Sequence, residues 1–418
     1  MHRERRLQWM GILVILCGAA SAEAQPQIIP RFDFSFSNPG ARSLGFGGAF
    51  AALADDATAA YANPAGLVQL AEPEVSFETR FWSRSPSFIA GGRLDGEPTG
   101  RGIDTRKGFV FGRDSSQDFG PSFASVVVPK GRWSFALYGH QLARFEQAAE
   151  SQGYFSDEDL FFPFGLFRSP ALRETVDLDV VTAGTAAGWR MNDRLSFGLG
   201  IVVSDVSLTT KSDVFFPGRD QFEAISFLPE MKLYTTAFSI EGTAVTVNAG
   251  VLGRISEQLS ASLFYRQGAE VEGTASFIFG PAFPVGDPVR SEAVLKVPDV
   301  AGAGLAYRSA SGRVTLATEV DRVGYSGLLR AEDSAGLDYR DAWEYHVGAE
   351  YALLRFTPIL ALRAGAWVES TGDNLTGDNE VTHLSAGVGI AASTFQIDVG
   401  GDLAETGDTA SISFIYNF

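Results

Sequence analysis

Few residues in this chain have the types and spacing that catalysis or metal binding would need. After residue 24 three histidines remain, His140, His346 and His383, and they lie far apart, with no His-x-x-x-His pair. The one cysteine, Cys17, lies in the leading apolar segment. Metal sites usually draw on clustered histidine and cysteine ligands. No Gly-x-Ser-x-Gly motif is present to expose a nucleophilic serine. We therefore predict no enzyme, no metal site and no cofactor, and interpret His346 as a hydrated group.

The chemistry that the sequence does offer is apolar binding. Two long segments between regular elements, 154–167 and 215–228, are rich in aromatic residues. Loops that face water should be polar, and clusters of exposed aromatic residues usually mark a binding surface. The candidate substrate-binding residues are Phe161, Phe162, Phe164, Phe167, Phe215, Phe216, Phe222 and Phe227. Two interpretations stay open: the loops bind a hydrophobic ligand, or their aromatic side chains pack against each other or rest in a lipid interface.

The elements that carry these loops are β-strands. The last residues, 410–418, place Ile412, Phe414, Tyr416 and Phe418 on one face of an extended strand. The same period-two alternation, which indicates strand, recurs in about fourteen segments. They lie near 74–84, 122–130, 132–145, 174–190, 193–210, 232–254, 256–278, 288–308, 311–326, 341–354, 357–370, 380–393, 394–403 and 408–418.

The connections between these segments alternate between short and long. Short ones occur at 130–131, 192–193 and 311–312, whereas long ones occupy roughly 85–121, 146–173 and 211–231. Outer-membrane barrels sort their connections in this way, with short periplasmic turns and long extracellular loops. The sequence therefore predicts an all-β fold: a transmembrane antiparallel β-barrel of about 14 strands, covering residues 74–418.

The N-terminus and the composition agree with an exported protein. Residues 1–24 have a basic start, a short apolar run and a small-x-small site at 22–24, and we predict a cleavable signal peptide. No later stretch approaches the ~18–20 apolar residues of a membrane helix. The formal net charge of −17 argues against nucleic acid as a partner. We expect localisation in the bacterial outer membrane, contact with its lipid and lipopolysaccharide, and a monomer.

Residues 25–73 do not alternate and are rich in glycine and alanine. Asp55 or Asp56 is placed to cap a short helix that runs through Tyr61. Asn63 is placed to cap a second one, with Pro64 in its first turn. A compact helical piece ahead of a wide barrel is best interpreted as a plug, or hatch, inside the lumen.

This segment resembles the N-terminal hatch of the FadL family, which comprises outer-membrane channels for long-chain fatty acids and other hydrophobic molecules. The resemblance runs through 40–50 and 53–67, and Asn63-Pro64-Ala65 matches the family's most distinctive motif, after Asp55 and Asp56. It implies passive uptake of a hydrophobic molecule, captured on the aromatic loops and passed beside the hatch. It also implies a kinked strand that opens the wall sideways, for which Gly139 is our candidate.

Two other functions remain open at this point. Related hatches are similar to those of PorV-type barrels, which are structural or accessory parts of a protein-secretion machine. An open porin for polar solutes is the second alternative, although the aromatic loops and the hatch argue against it. Whether a basic residue such as Arg42 or Arg144 meets the carboxylate of a ligand is not decided by spacing.

Overall fold

The fold is a closed antiparallel barrel of fourteen strands, β1–β14. The computed structural model describes residues 38–85, 87–157, 166–216, 220–282, 287–331, 339–370 and 380–418. The strands are β1 Glu74–Arg84, β2 Ser116–Lys130, β3 Trp133–Ser151, β4 Ala171–Arg190, β5 Leu195–Phe215, β6 Lys232–Arg254, β7 Leu259–Arg266 with Glu270–Phe279, β8 Val289–Lys296 with Val300–Arg308, β9 Val314–Val323 with Leu329–Ala331, β10 Ala342–Leu353, β11 Ile359–Ser370, β12 Glu380–Ala391, β13 Phe395–Ala404 and β14 Gly407–Asn417. Closure comes from β14, which pairs with β1.

The C-terminal strand has the predicted orientation. Ile412, Phe414 and Tyr416 are between 42% and 50% exposed on the outer face, whereas Ser411 and Ser413 are buried against the lumen. The amide of Phe418 donates to the carbonyl of Pro73 over 3.0 Å, so the end of the chain lies beside the start of β1. No helix within the described residues is both long enough and apolar enough to cross a membrane. The predicted fold class and strand number are confirmed.

The distribution of polar and apolar side chains between the two faces of the wall reverses halfway along the barrel, as β5 shows. Its outward-facing side chains change from Leu199, Ile201 and Val203 to Asp205, Ser207 and Thr209. Its inward-facing side chains include Ser196 and Ser204 in the first half, and Val206 and Leu208, followed by Thr210, in the second half. A tilted strand needs only about 9–11 residues to cross the bilayer, and β5 has 21. The half nearer the short turns therefore carries the lipid-facing band, and the other half extends beyond it with a polar outside and an apolar inside.

This reversal explains why several strands are longer than the alternation predicts. The lipid-facing pattern of β3 fades after residue 139, and the predicted strand ends at 145, yet β3 continues to Ser151. Likewise β2 begins at Ser116, not at 122, and β5 ends at Phe215, not at 210. Beyond the bilayer the apolar residues occupy the opposite face, which makes the strand look irregular when only the outer face is followed.

Three neighbouring strands are interrupted: β7 and β8 inside segments that the sequence predicts as continuous, and β9 at the predicted end of its segment, residue 326. The breaks fall at 267–269 in β7, at 297–299 in β8 and at 324–328 in β9. Gly268 lies so close to β8 that a Cβ would be 1.7 Å from the carbonyl oxygen of Val297. Pro298 cannot donate a ladder hydrogen bond, which disfavours it inside a sheet. The wall is therefore irregular at one level across three adjacent strands.

Residues 38–73 lie inside the lumen, in the half nearer the short turns. They contain α1 Ala41–Gly45, α2 Ala59–Ala62 and a 3-10 helix, Pro64–Gln69. Nearly all of their side chains are buried. The predicted helix through Tyr61 is shorter than expected, because Asp56 does not cap it. Instead, its Oδ1 accepts from the amide of Thr58 at 2.9 Å, which forms a turn before α2. Segments 1–24 and 25–37 lie outside the described residues, and the signal peptide stays a prediction.

Candidate functional site

The Asn63-Pro64-Ala65 triplet joins the hatch to the barrel wall. Asn63 is fully buried, and its Oδ1 accepts from the amide of Ala65 at 3.1 Å, capping the 3-10 helix as predicted. Its Nδ2 donates to the carbonyl of Ala51 at 3.1 Å and to that of Val251, in β6, at 3.4 Å. Pro64 occupies the first helical turn, where its missing N–H costs nothing. One amide side chain therefore connects three backbone segments.

Ion pairs also fasten the hatch to the wall, at strands β8 and β10. Asp55 accepts from Arg42 at 2.7 Å and from Arg308, in β8, also at 2.7 Å. Arg42 also reaches Asp56 at 3.6 Å and Glu350, in β10, at 3.3 Å. Burial alone would raise the pKa of Asp55, but the two guanidinium groups hold it well below its usual range. Asp55 is therefore a carboxylate at any physiological pH.

Close contact between hatch and wall depends on glycines that face inward. At each of these positions an added Cβ would come within 3.2 Å of a hatch atom. A Cβ on Gly250 would be 1.9 Å from Oδ1 of Asn63, and one on Gly198 would be 2.2 Å from the amide nitrogen of Ala65. The set consists of Gly188, Gly198, Gly250, Gly304, Gly348, Gly365, Gly387 and Gly400. Their absent side chains make room for the hatch.

Beyond the hatch, towards the long loops, the inner wall is apolar. Leu178 in β4 is paired with Leu208 in β5, and neither is exposed. They belong to one buried cluster contributed by the eight neighbouring strands β3 to β10 and by Ala51 of the hatch. Its members include Phe145, Val176, Val180, Val206, Ile240, Val271, Leu295, Val300, Val323 and Leu329. Barrel interiors are usually polar, so this half of the lumen is unusual in its chemistry.

A small cavity lies where the apolar half meets the hatch. Tyr61 of α2 lines it from the hatch side, and Val202 and Leu142 line it from the wall. It also touches the interruptions in β7 and β8, at Gly268 and Pro298. The cavity therefore connects the apolar lumen with the irregular part of the wall.

Asp299 bridges the three interruptions. Its Oδ1 accepts from the amide of Gly268 at 2.8 Å, and its Oδ2 accepts from the Tyr265 hydroxyl at 3.1 Å and from Nζ of Lys296 at 3.2 Å. Its backbone carbonyl accepts from the amide of Gly324 at 2.9 Å. Asp299 thus replaces part of the missing strand ladder through both its side chain and its backbone, beside the hydrogen bond from the Val297 amide to the Ala269 carbonyl at 2.8 Å.

One arginine lines the cavity. Arg266 is buried, and its guanidinium lies 4.8 Å from the ring centre of Tyr61 and 4.6 Å from that of Phe264. It donates to Oδ1 of Asn38 at 3.1 Å, but forms no ion pair with any described residue. Of the two arginines considered from the sequence, Arg42 is held by the hatch carboxylates, and Arg144 faces outward and pairs with Asp179 at 2.9 Å. Arg266 has no distinguishing sequence motif.

The described aromatic residues of the long loops are mostly packed together. Phe215 and Phe227 meet edge to face at 5.2 Å, and Phe222 stacks on Phe155 at 5.7 Å. Phe216 is 50% exposed, and Phe167 is half-buried in the short strand Phe167–Arg168. Phe161, Phe162 and Phe164 lie outside the described residues. The role of all eight in ligand binding stays a prediction.

Polar contacts join these loops into one layer at the barrel mouth. Arg168 donates to the carbonyl of Gln152 at 2.9 Å and to those of Gln221 and Glu223 at 2.7 Å each. Burial lowers the pKa of Arg168 to about 10, so its guanidinium is charged at neutral pH. The amide of Ile103 also donates to the carbonyl of Phe222 at 2.9 Å. The layer therefore combines segments that are more than a hundred residues apart.

Gly139 is regularly paired on both sides, with Ala124 in β2 and Ala183 in β4. The register shift in β3 falls between Gln141 and Ala143. An added Cβ at Gly139 would meet only an ordinary contact, at 3.9 Å. The irregularity thus lies two residues beyond the candidate, and a lateral opening at Gly139 stays a prediction.

The sequence predicts no metal site, but the described residues contain a group with suitable donors. Asp321 in β9 is opposite Glu344 in β10, and His346 lies two residues farther along β10. All three are buried, and one ligand atom from each lies within 4.8 Å of the others. Strand pairing brings Asp321 beside Glu344 and His346, so spacing along the sequence does not reveal the complete group.

The family model described as "Outer membrane protein transport protein (OMPP1/FadL/TodX)" matches residues 165–403, more than half of the chain. No curated protein sequence matches significantly. Similar solved structures include a Pseudomonas aeruginosa FadL homologue, 14% identical over 94% of this chain and 100% of that one, with a TM-score of 0.64. The Ralstonia pickettii toluene transporter TbuX is 15% identical over 92% and 99%, with a TM-score of 0.58. The Pseudomonas putida toluene transporter TodX is 14% identical over 92% and 99%, with a TM-score of 0.60. The chain belongs to the OMPP1/FadL/TodX family of outer-membrane transport proteins.

Proposed function

We propose that this protein is an outer-membrane channel for passive uptake of hydrophobic molecules. The observation that carries the proposal is the apolar inner wall between the long loops and the hatch, where Leu178 and Leu208 are paired. A channel for polar solutes would line this half of the lumen with polar groups. An apolar wall instead favours an apolar permeant, whose transfer from water contributes about 25 cal/mol per Å² of buried surface.

The route begins at the long-loop end. Phe216 is exposed there, and the other described loop aromatics pack behind it in the layer that Arg168 joins. A hydrophobic molecule adsorbs on this layer and then enters the apolar lumen. We include Phe161, Phe162, Phe164 and Phe167 in the capture surface on the basis of their sequence positions.

The hatch blocks a straight path, so the molecule leaves through the wall. The cavity beside Tyr61 ends at Gly268 and Pro298, where β7 and β8 are interrupted. The contacts across this place include the Asp299 side chain, which accepts from Gly268, and one backbone hydrogen bond from Val297 to Ala269 at 2.8 Å. We propose this gap as the lateral exit, and retain the β3 irregularity near Gly139 as the alternative position.

The ligand class follows from Arg266. A buried guanidinium beside an apolar lumen suits a molecule with a long apolar body and one anionic head, such as a fatty acid. Neutral hydrocarbons, such as the toluene that TbuX and TodX transport, would use the apolar wall alone. We favour the fatty acid, because Arg266 forms no ion pair with a described residue.

A structural or accessory role in protein secretion is the second candidate. The observation in its favour is that the side chains of the apolar cluster are tightly packed, since Val180, Leu178 and Leu208 have no exposed surface. A permeant must therefore displace side chains, whereas a scaffold would need no movement. Contact with lipopolysaccharide and a monomeric state are part of the proposal in either case.

The test is uptake of radiolabelled oleate and hexadecane by cells that produce the double variant Leu178→Gln, Leu208→Gln. We expect a loss of at least about tenfold for both substrates, since two amides replace apolar side chains in the buried inner wall. The matched control is Thr209→Gln, next to Leu208 but on the outward face. Unchanged uptake by the double variant, at equal surface amounts, would reject the channel and leave the scaffold.

A further inference from the structure

Four ionisable residues meet on the inner wall where β9 and β10 pass the hatch. Glu319 is opposite His346, and Asp321 is opposite Glu344 in the antiparallel register. Each is at most 7% exposed. The Nε2 atom of His346 lies 3.4 Å from Oε2 of Glu344 and 4.0 Å from Oδ2 of Asp321. Such groups are seldom buried together without a compensating partner.

Two atoms of this group that could bind a metal ion have no hydrogen-bond partner among the described residues. Nδ1 of His346 lies 2.8 Å from the carbonyl oxygen of Gly47 in the hatch. Because a carbonyl only accepts, Nδ1 donates to Gly47, and Nε2 faces the carboxylates. An ion bound between them would take the lone pair of Nε2 and displace any proton there. Nε2 of His346 and Oδ1 of Asp321 have no hydrogen-bond partner among the described residues, although both are buried. Unpaired buried polar atoms of this kind cost about 1–3 kcal/mol each.

The group also brings several acidic residues together. Glu319, Asp321 and Glu344 contribute three carboxyl groups, and Arg266 and His346 are the basic residues that act on Glu319 and Asp321. Burying several carboxylates at one place is unfavourable without a cation close by. A divalent cation would supply that charge.

We propose that Asp321, Glu344 and His346 bind one divalent transition-metal ion, for which Zn²⁺ is the best match. One imidazole nitrogen and carboxylate oxygens are ligands that Zn²⁺ accepts, and donor atoms in a tetrahedral Zn²⁺ site lie about 3.4 Å apart. The separation of His346 from Glu344 has this value already, and that from Asp321 needs a small side-chain movement. Purely oxygen-binding ions such as Mg²⁺ would not use the imidazole.

The site includes the outer-shell contact that metal-bound histidines usually have. A ligating histidine almost always donates its other ring N–H to a carbonyl or carboxylate. Here the acceptor is Gly47, in a turn of two glycines with positive φ, 70° at Gly47 and 78° at Gly48. A Cβ on Gly48 would be 2.9 Å from Nδ1 of His346. A metal ion would therefore hold the hatch turn against the wall through His346.

The experiment uses the full chain, purified in detergent without a polyhistidine tag, stripped with a chelator and titrated with ZnCl₂ in a calorimeter. We expect one Zn²⁺ per chain. The variants Asp321→Asn and Glu344→Gln preserve shape but remove a ligand charge. Their affinity for Zn²⁺ should fall by more than about 100-fold. Loss of an outer-shell partner alone costs up to about that factor, and these variants remove a direct ligand. Co²⁺ should give a visible absorption spectrum in the wild type only.

The control is His383→Gln. His383 is a second buried lumen histidine, whose Nδ1 lies 2.7 Å from Oδ2 of Asp402, so its loss reports on non-specific effects. The control should bind Zn²⁺ as the wild type does. Each variant is checked by its folded, fast-migrating band in unheated detergent gels. Absence of binding to the wild type, or equal binding by folded Asp321→Asn and Glu344→Gln proteins, would overturn the proposal. Either result would leave His346 as a protonated ion-pair partner.

Discussion

Arg308 of the barrel wall donates to Asp55 of the hatch over 2.7 Å, and Arg42 holds the other oxygen of the same carboxylate at the same distance. Asp55 is thus the point at which the hatch's own ion pairs continue into β8. Asn63 makes the corresponding connection to β6 through an amide. Among the contacts between hatch and wall, these two lie on different strands, one an ion pair and one a neutral hydrogen bond, so they can be weakened independently.

Replacing Asp55 should loosen the hatch more than replacing Arg308. Asp55→Asn leaves two guanidinium groups without their shared carboxylate and should cost about 2 kcal/mol. Arg308→Gln removes a half-exposed partner and should cost less than about 1 kcal/mol. Hydrogen–deuterium exchange of residues 50–62 measures the effect, with faster exchange expected for Asp55→Asn. Equal exchange in both variants would show that the ion pairs do not hold the hatch.

The contribution of Asp55 should also depend on pH. Its folded pKa lies below the unfolded value of about 3.9. The stabilisation is therefore fully present above pH ~4 and is lost as the pH falls through the folded pKa. We expect the difference in unfolding free energy between wild type and Asp55→Asn to be constant from about pH 8 to 5 and to shrink below pH ~4. A difference that grows on acidification would contradict this assignment.

A methyl group on the inner wall should displace the hatch. Gly250→Ala places Cβ 1.9 Å from Oδ1 of Asn63, and such overpacking costs about 1–3 kcal/mol. Gly253→Ala, three residues along β6, meets only a contact of 3.9 Å and is the control. Urea unfolding in detergent micelles should show a lower midpoint for Gly250→Ala alone. Identical midpoints would mean that the hatch moves freely away from β6.

The strands could be predicted from the sequence because their signals are local. Alternation, turn residues and loop lengths each involve neighbours in the chain, so the count of fourteen and the orientation of Phe414 and Tyr416 followed directly. The Asn63 cap is also local, since its acceptor and the Ala65 amide are two residues apart. These features need no knowledge of which strands pair.

The interior could not be predicted in the same way. Arg266 and the Asp321–Glu344–His346 group acquire their meaning from residues on other strands, and their own neighbours look like ordinary alternating lumen positions. Gly268 and Pro298 were available as signals of a strand break, but the alternation around them was smooth enough to conceal it. The apolar inner wall was missed because the outward pattern alone was followed beyond the bilayer.

Removing the Asp299 bridge should open the wall at the interruptions. Asp299→Ala deletes the acceptor of Gly268, Tyr265 and Lys296. A cysteine introduced at Ala269, which is 3% exposed, should then react faster with a lipid-soluble maleimide. Asp205→Ala, which changes an exposed outward carboxylate on β5, is the control. If the cysteine is labelled at the same rate in the otherwise unchanged protein, in Asp299→Ala and in Asp205→Ala, the exit lies elsewhere. The strand β3 near Gly139 would then be the next position to examine.

Arg266 should separate fatty acids from hydrocarbons. A charge-assisted hydrogen bond to a carboxylate is worth about 1.5–3 kcal/mol, which corresponds to about tenfold or more in affinity. We therefore expect Arg266→Gln to lower oleate uptake at limiting concentration by about that factor, while hexadecane uptake stays unchanged. Arg266→Lys keeps the positive charge and should recover part of the oleate uptake. The hydrocarbon also serves as the folding control, because Arg266 packs on Tyr61 and Phe264. An equal loss for both substrates would assign Arg266 to the support of the hatch and not to the ligand.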